Sequence, residues 1–295
     1  MPQANRASGR LRVALGTVRD VSEPALWGRK RAVLDAFDRV RLARPAVRLY
    51  ELVLAARYDL RGRKPHAADG MPLPPARLRT SVGPLHADPE FFLASGRHNA
   101  ELLGEVLHEQ GTSIEECGAL LDWGCGCGRV LRHWSDLQGV RILGCDIDPT
   151  MIAWCRENLP FANVIVNELG PPLPYDDSRF GLVYAFSVMT HLSEELQRSW
   201  LRDVRRILRP GGYFLFSTLG EYYASRNRLT AAEREAFARG RLVVLYERSA
   251  GTSLCSAYHP PDYVRRELTE DLEHVAFLAA ADDGRHDIHL LRKPT

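Results

Sequence analysis

From residue 119 onward, short apolar runs alternate with stretches whose apolar positions recur every three to four residues. Runs at 119–122, 140–146, 163–166, 181–186 and 213–217 read as buried strands. Met151, Ile152 and Trp154 behind Asp148-Pro149, and the segment 194–208, have helical spacing. Strand and helix in regular alternation predict a parallel sheet covered on both faces. After the Pro210-Gly211-Gly212 turn and its strand the rhythm changes. Thr230-Ala231-Ala232-Glu233 is a capping-box pattern, 241–247 and 252–257 read as a hairpin joined at Ala250-Gly251, and Pro260-Pro261 precede a short helix from Asp262. Residues 275–279 and 286–292 complete the sheet as an antiparallel last pair. The fold class expected is α/β, a Rossmann-like, seven-stranded, mostly parallel sheet with helices on both faces.

The first third follows another pattern. After a polar, frayed start at 1–12, Val33, Leu34, Phe37 and Val40 give helical spacing over 29–41, which Pro45 breaks. Val47, Leu49, Tyr50, Val53 and Leu54 do the same over 46–58. Residues 61–85, dense in proline and glycine, are expected to lack regular structure. A helical segment starts at Asp88-Pro89, and after Gly96 a longer helix is expected over 98–109, with Leu102, Leu103, Val106 and Leu107 buried and Gly111 beyond its end. The expected organisation is a helical extension and linker over 1–96, serving as lid or dimer arm, then an α/β domain over 97–295 with a pocket-forming insertion at about 220–262.

Candidate chemistry gathers at the end of the first strand: Asp122-Trp123-Gly124-Cys125-Gly126-Cys127-Gly128-Arg129. Glycine is required where a ligand approaches the backbone, and a helix opening at Val130 would offer unpaired N–H groups. The spacing is GxGxG. The dinucleotide fingerprint would need a third glycine where Arg129 stands. The second strand ends in Asp146, placed to accept hydrogen bonds from ribose hydroxyls.

Charge changes the picture at one end only. The net charge is +2, but residues 1–80 hold 17 Lys/Arg against 7 Asp/Glu, with arginine supplying nearly all of it. Either a solvated basic face or a surface for an anionic substrate or acidic carrier protein follows. No apolar run reaches the roughly 18 residues of a membrane span, and the N-terminus shows no signal-peptide segment, so a cytoplasmic enzyme is expected. The six cysteines match no zinc spacing, and no metal is expected. Cys125 and Cys127 read as small residues in a crowded turn.

The glycine turn, the spaced Asp146 and the later Leu208-Arg209-Pro210-Gly211-Gly212 turn together resemble the class I S-adenosylmethionine-dependent methyltransferases, over roughly 102–293. The resemblance implies S-adenosyl-L-methionine as cofactor and S-adenosyl-L-homocysteine as product. It sets Gly124, Cys125, Gly126 and Gly128 against the methionine and ribose parts, with Asp122 facing the amino group. Asp146 would hold the ribose hydroxyls and Ile147 pack on the adenine. Asn167, Glu168 and Leu169 would border the adenine edge, where the family more often has Asp at the position of Asn167. Phe186 and Ser187 would lie beneath the cofactor. Arg97 is a candidate for the cofactor carboxylate.

Catalytic residues are less legible, because methyl transfer is an in-line displacement that needs alignment and sometimes a base. His191, after the fourth strand, and His259, in the insertion, are the base candidates. Tyr222, Tyr223 and Tyr258 are candidates for a substrate wall. The expected activity is methylation of an O or N atom of a small molecule, anionic or carrier-bound acceptors included, in specialised metabolism. A homodimer through the N-terminal helices stays open. Other readings are a nucleic-acid methyltransferase, against which the chain offers no aromatic-interleaved basic strand, a cofactor-binding enzyme with a non-methylating reaction, and a non-catalytic binding module.

Overall fold

The computed structural model describes residues 31–32, 34–38, 43–59, 67, 69–226 and 229–295. Nine strands are present among them. Seven form one sheet: β1 (Ala119–Trp123), β2 (Arg141–Asp146), β3 (Asn163–Val166), β4 (Phe180–Ala185), β5 (Leu208–Thr218), β8 (Glu273–Asp282) and β9 (His286–Arg292), in the order β3-β2-β1-β4-β5-β9-β8. Strands β1 to β5 run parallel; β9 is antiparallel to both β5 and β8. The seven-stranded expectation therefore holds. The strand order reverses between β1 and β4, which opens a crevice at their carboxyl ends.

Every residue of β1 and β4 is buried, as a sheet covered on both faces demands. Successive residues serve opposite layers. Leu120, Leu182 and Tyr184 pack with Leu103 and Leu107 of the helix α3 (Pro89–Glu109). Leu121, Val183, Phe214 and Phe216 pack with Trp200, Leu201 and Val204 of α5 (Glu194–Ile207). Between β2 and β3 lies α4 (Pro149–Asn158), whose N-cap Asp148 accepts hydrogen bonds from Thr150 N and Met151 N.

Three expectations are corrected. The helix expected to begin after Gly96 instead runs unbroken from Pro89, capped by Asp88, and Gly96 sits buried inside it. A Cβ there would stand 2.1 Å from the backbone oxygen of Arg129, so the glycine lets α3 lie directly on the glycine-rich turn. Gly96→Ala is expected to cost about 2–3 kcal/mol, the upper end of overpacking because a backbone carbonyl cannot rotate away. A thermal melt should fall by roughly 5–10 °C; an unchanged melting temperature would refute the packing role.

Second, the stretch 61–85 is not without regular structure where it is described: α2 (Ala76–Val82) and a 3-10 turn (Pro84–Ala87) occupy its end. Pro74 and Pro75 stand before the helix, where a missing N–H breaks no bond. Buried Arg79 donates to the carbonyls of Pro74, His86 and Ala87, joining helix and turn. Third, Val130 opens no α-helix. Only a 3-10 turn, Leu131–Trp134, follows the glycines. Its two buried apolar anchors are three residues apart, the repeat of a 3-10 helix, and Gly139 (φ +76°) turns the chain into β2.

The helix α1 (Ala43–Asp59) includes Pro45 in its first turn; where the preceding helix ends lies outside the described residues. Of the helix expected over 29–41, residues 31–32 and 34–38 are helical and the others lie outside the described residues, as do 1–12. After β5 come α6 (Glu221–Ala224), α7 (Ala231–Ala238) with the expected Thr230/Glu233 capping box, the short hairpin β6 (Val243–Leu245) and β7 (Ser256–Tyr258), and α8 (Pro261–Glu267). The hairpin is shorter than expected, with ten residues, 246–255, between its strands. The N-terminal part is clipped to this insertion: Arg31 forks onto Glu233 at 2.7 Å, Tyr246 donates to Asp35 at 2.8 Å, and Ser253 to Glu51 at 3.1 Å.

Candidate active site

A cavity of about 840 Å³ lies at the carboxyl ends of β1, β2 and β4. Its floor is the glycine turn. Gly124 N and Cys125 N donate to Cys145 O, at 2.8 and 3.0 Å. Gly124, Gly126 and Gly128 all have positive φ, +80°, +54° and +78°, a region that side-chain-bearing residues avoid. Its roof is α1, α2 and the hairpin loop at 251–254.

Asp122, Gly124, Cys125, Gly126, Asp146, Ile147, Asn167, Glu168, Leu169, Phe186 and Ser187 all line this cavity. Gly128 does not. A Cβ on it would stand 2.4 Å from Leu159 Cδ1, so this glycine answers to core packing.

Three polar residues that line the cavity have unused bonding capacity. Asp122 is buried, and its Oδ2 has no hydrogen-bond partner. Burial pushes its carboxyl up to about 7, against the pull of the Tyr184 hydrogen bond and the Arg129 charge. An orphaned buried acceptor is costly unless something occupies it. Asp146 accepts from Gly126 N through Oδ2 (2.9 Å) and from Asp148 N through Oδ1 (2.8 Å). Each carboxylate oxygen can accept a second bond. Asn167 donates its Nδ2 to Glu168 O at 2.7 Å, which orients the amide and leaves Oδ1 buried and unpartnered.

His191 also lines the cavity. Its Nδ1 lies 2.7 Å from the carbonyl oxygen of Cys255. A carbonyl can only accept, so Nδ1 carries the proton and the neutral ring keeps its lone pair on Nε2. Among the described residues Nε2 has no hydrogen-bond partner. Burial lowers the pKa of the ring, the Cys255 carbonyl opposing it. His191 O accepts from Gly251 N at 2.8 Å, so both its backbone and its ring hold the roof loop.

His259 is a correction. It is wholly buried away from the cavity, with Nε2 2.9 Å from Gln197 Oε1, and burial lowers its pKa to about 3. It is a core residue joining the insertion to α5. Tyr258, 1% exposed, packs in the small core of the insertion with Leu219, Leu229 and Phe237. Tyr222 and Tyr223 meet edge to face, Tyr223 lies against His286, and neither lines the cavity. Their signal, aromatic residues in an insertion, does not distinguish a pocket wall from a packing face.

Arg97 is exposed and outside the cavity, whereas Arg129 lines it. Arg129 Nη1 donates to Asn99 Oδ1 at 2.5 Å, and Asn99 Nδ2 to Asp282 Oδ1 at 2.7 Å. Among the described residues Arg129 has no carboxylate ion partner. Its signal in the sequence was its position, in place of the third glycine of a dinucleotide turn. The roof residues Arg48, Glu51, Leu52, Arg77 and Ser81 had no sequence signal beyond the basic charge of the region. One group of potential metal donors, His98, Asp282 and Asp283, gathers near the β8–β9 turn, outside the cavity lining, with donor atoms within 4.8 Å of one another. No described helix is long and apolar enough to cross a membrane.

Residues 121–216 match the family model described as a methyltransferase domain. Among curated proteins, the chain is similar to a probable S-adenosylmethionine-dependent methyltransferase of Mycolicibacterium smegmatis, 30% identical over 54% of this chain and 51% of that protein. It is also similar to the malonyl-[acyl-carrier protein] O-methyltransferase of Serratia marcescens, 29% identical over 44% of this chain and 51% of that protein. The chain thus spans about half the length of these relatives. Among solved structures, the CcbJ methyltransferase of Streptomyces caelestis superposes with a TM-score of 0.48 at 18% identity, over 68% of this chain and 90% of that one.

Proposed function

We propose that this chain, whose residues 121–216 belong to the class I S-adenosylmethionine-dependent methyltransferase family, is an enzyme that methylates an O or N atom of a small molecule, free or carried on a protein. The observation that carries the reading is the set of unused polar groups around one cavity. The orphaned Asp122 Oδ2 would take the cofactor's amino group, and Arg129 its carboxylate. Asp146 would take the ribose hydroxyls, Asn167 Oδ1 the adenine amine, and Ile147 and Leu169 the adenine faces. Each of these polar parts of the cofactor would thereby meet a residue of matching character. When bound, the cofactor supplies an electrophilic sulfonium methyl.

The chain's own part is orientation, exclusion of water and movement of one proton. The roof of α1, α2 and the loop at 251–254 covers part of the cavity, which supports a small acceptor over a polymer lying in an open groove. Relatives named malonyl-[acyl-carrier protein] O-methyltransferases support a carried acceptor as well as a free one. His191 Nε2 would accept the proton of an acceptor hydroxyl or amine.

Calorimetric titration with S-adenosyl-L-homocysteine tests the reading. Because Asp122 is half-protonated near pH 7 and an ammonium favours the ionised form, binding should release a proton. Affinity should then rise with pH, by up to about tenfold per unit below pH 7, and level off above it. Asp122→Asn should remove that slope. No binding to well-folded protein would overturn the proposal.

A further inference from the structure

The outer face of α1 has no partner within the described chain, and its composition is unusual for a surface. Leu49, Tyr50, Leu52 and Val53 are 63%, 59%, 52% and 53% exposed, and Ala56 is exposed beside them. Leu49, Leu52, Val53 and Ala56 follow the i, i+3, i+4, i+7 spacing that a partner helix reads. At 100° per residue, Arg48 and Arg57 fall roughly 100° and 80° to either side of Leu49; both are exposed. The helix has no acid in its first turn, and Glu51 is turned inward onto Ser253. The result is an apolar seam with an arginine on each flank. Leu52 and Arg48 line the cavity as well as this face, so the seam continues into its mouth.

We propose that this face docks a helix of an acidic carrier protein that bears the methyl acceptor on a flexible arm. The partner's helix would present an apolar seam flanked by Asp or Glu. The arm would enter beside Leu52 and Arg48 while the carrier body stays outside the roof. This inference rests on the methyltransferase reading for what is delivered, but not for the docking itself. Charge complementarity selects the occupant. A second copy would bring arginine flanks against arginine flanks, which like-charge juxtaposition disfavours. A bilayer calls for a broad apolar face rich in large side chains, and this seam is one helix wide.

The test measures binding of holo acyl carrier protein, an acidic helical protein with a phosphopantetheine arm, to the full chain. Two variants are compared with wild type: the double substitution Leu49→Asp with Val53→Asp, and separately Arg57→Glu. None of these residues lines the cavity, and all are exposed, so titration with S-adenosyl-L-homocysteine should read the same in every variant and report correct folding. Carrier binding that weakens at least tenfold in each, and weakens with added salt, is the expected result. No binding at about 1 mM carrier, or binding that the substitutions leave unchanged, overturns the proposal. So does either of two other results: a sedimentation dimer that Leu49→Asp with Val53→Asp dissolves, which gives the face to a second copy, or capture by phosphatidylglycerol vesicles without carrier binding, which gives it to a membrane. Carrier binding by a chain that fails to bind S-adenosyl-L-homocysteine would leave the docking site standing and remove the methyltransferase reading.

Discussion

Asp146→Ala is expected to weaken S-adenosyl-L-homocysteine binding about a hundredfold or more, read by calorimetry. Two losses combine. Asp146 lines the cavity, and each of its carboxylate oxygens keeps a second acceptor position beyond the bonds from Gly126 N and Asp148 N. Two charge-assisted bonds to ribose hydroxyls are worth about 1.5–3 kcal/mol each, so their removal alone reaches that size. The variant also strands the N–H of Gly126, the middle glycine of the turn. A modest drop in melting temperature should therefore accompany the affinity loss. Asp146→Asn separates the two. Its amide puts a donor where both neighbours also donate, so one bond to Gly126 N or Asp148 N must break, while side-chain volume is kept. It should bind nearly as poorly as the alanine variant. If both variants bind like wild type, Asp146 is a turn-stabilising residue and the ribose position must be sought elsewhere in the cavity.

The chain states its sheet plainly because β1 to β5 are short, apolar and separated by turn signals. β3 falls where its pattern placed it, β1, β2 and β4 differ by one residue at one or both ends, and β5 begins five residues earlier than expected, at Leu208, taking in the Pro210-Gly211-Gly212 turn. The floor of the cavity was legible for the same reason: glycines at positive φ and an acid at a strand end are local requirements. What misled were features set by distant neighbours. Gly96 looks like a helix break, yet its reason is the carbonyl of Arg129 lying against it. Pro74 and Pro75 look like a loop, yet they begin α2. His191 and His259 look alike as candidate bases. One lines the cavity and is held by Cys255, 64 positions away; the other is sealed against Gln197, 62 positions away. No local pattern carries that difference. Arg129 is the reverse case, a departure from one motif whose use appears only when α3 brings Asn99 beside it.

His191→Gln is expected to lower kcat by about 10²–10⁴ with little change in KM, for an acceptor that must lose a proton. The argument begins at the Cys255 carbonyl, 2.7 Å from Nδ1. Glutamine can donate its amide N–H to that carbonyl and keep the 251–255 loop in place, but it offers no basic nitrogen. His191→Ala removes base and tether together, so its KM should rise as well. In the wild type, burial favours the neutral ring and holds its pKa below 6.5. The base form is then already present at neutral pH. The kcat/KM profile should rise with pH only on the acid side, level off before pH 7, and lose that limb in the glutamine variant. An acceptor carboxylate is already deprotonated and needs no base. If His191→Gln turns over at the wild-type rate with the loop intact, the acceptor is of that kind, and His191 serves as the strut that closes the cavity.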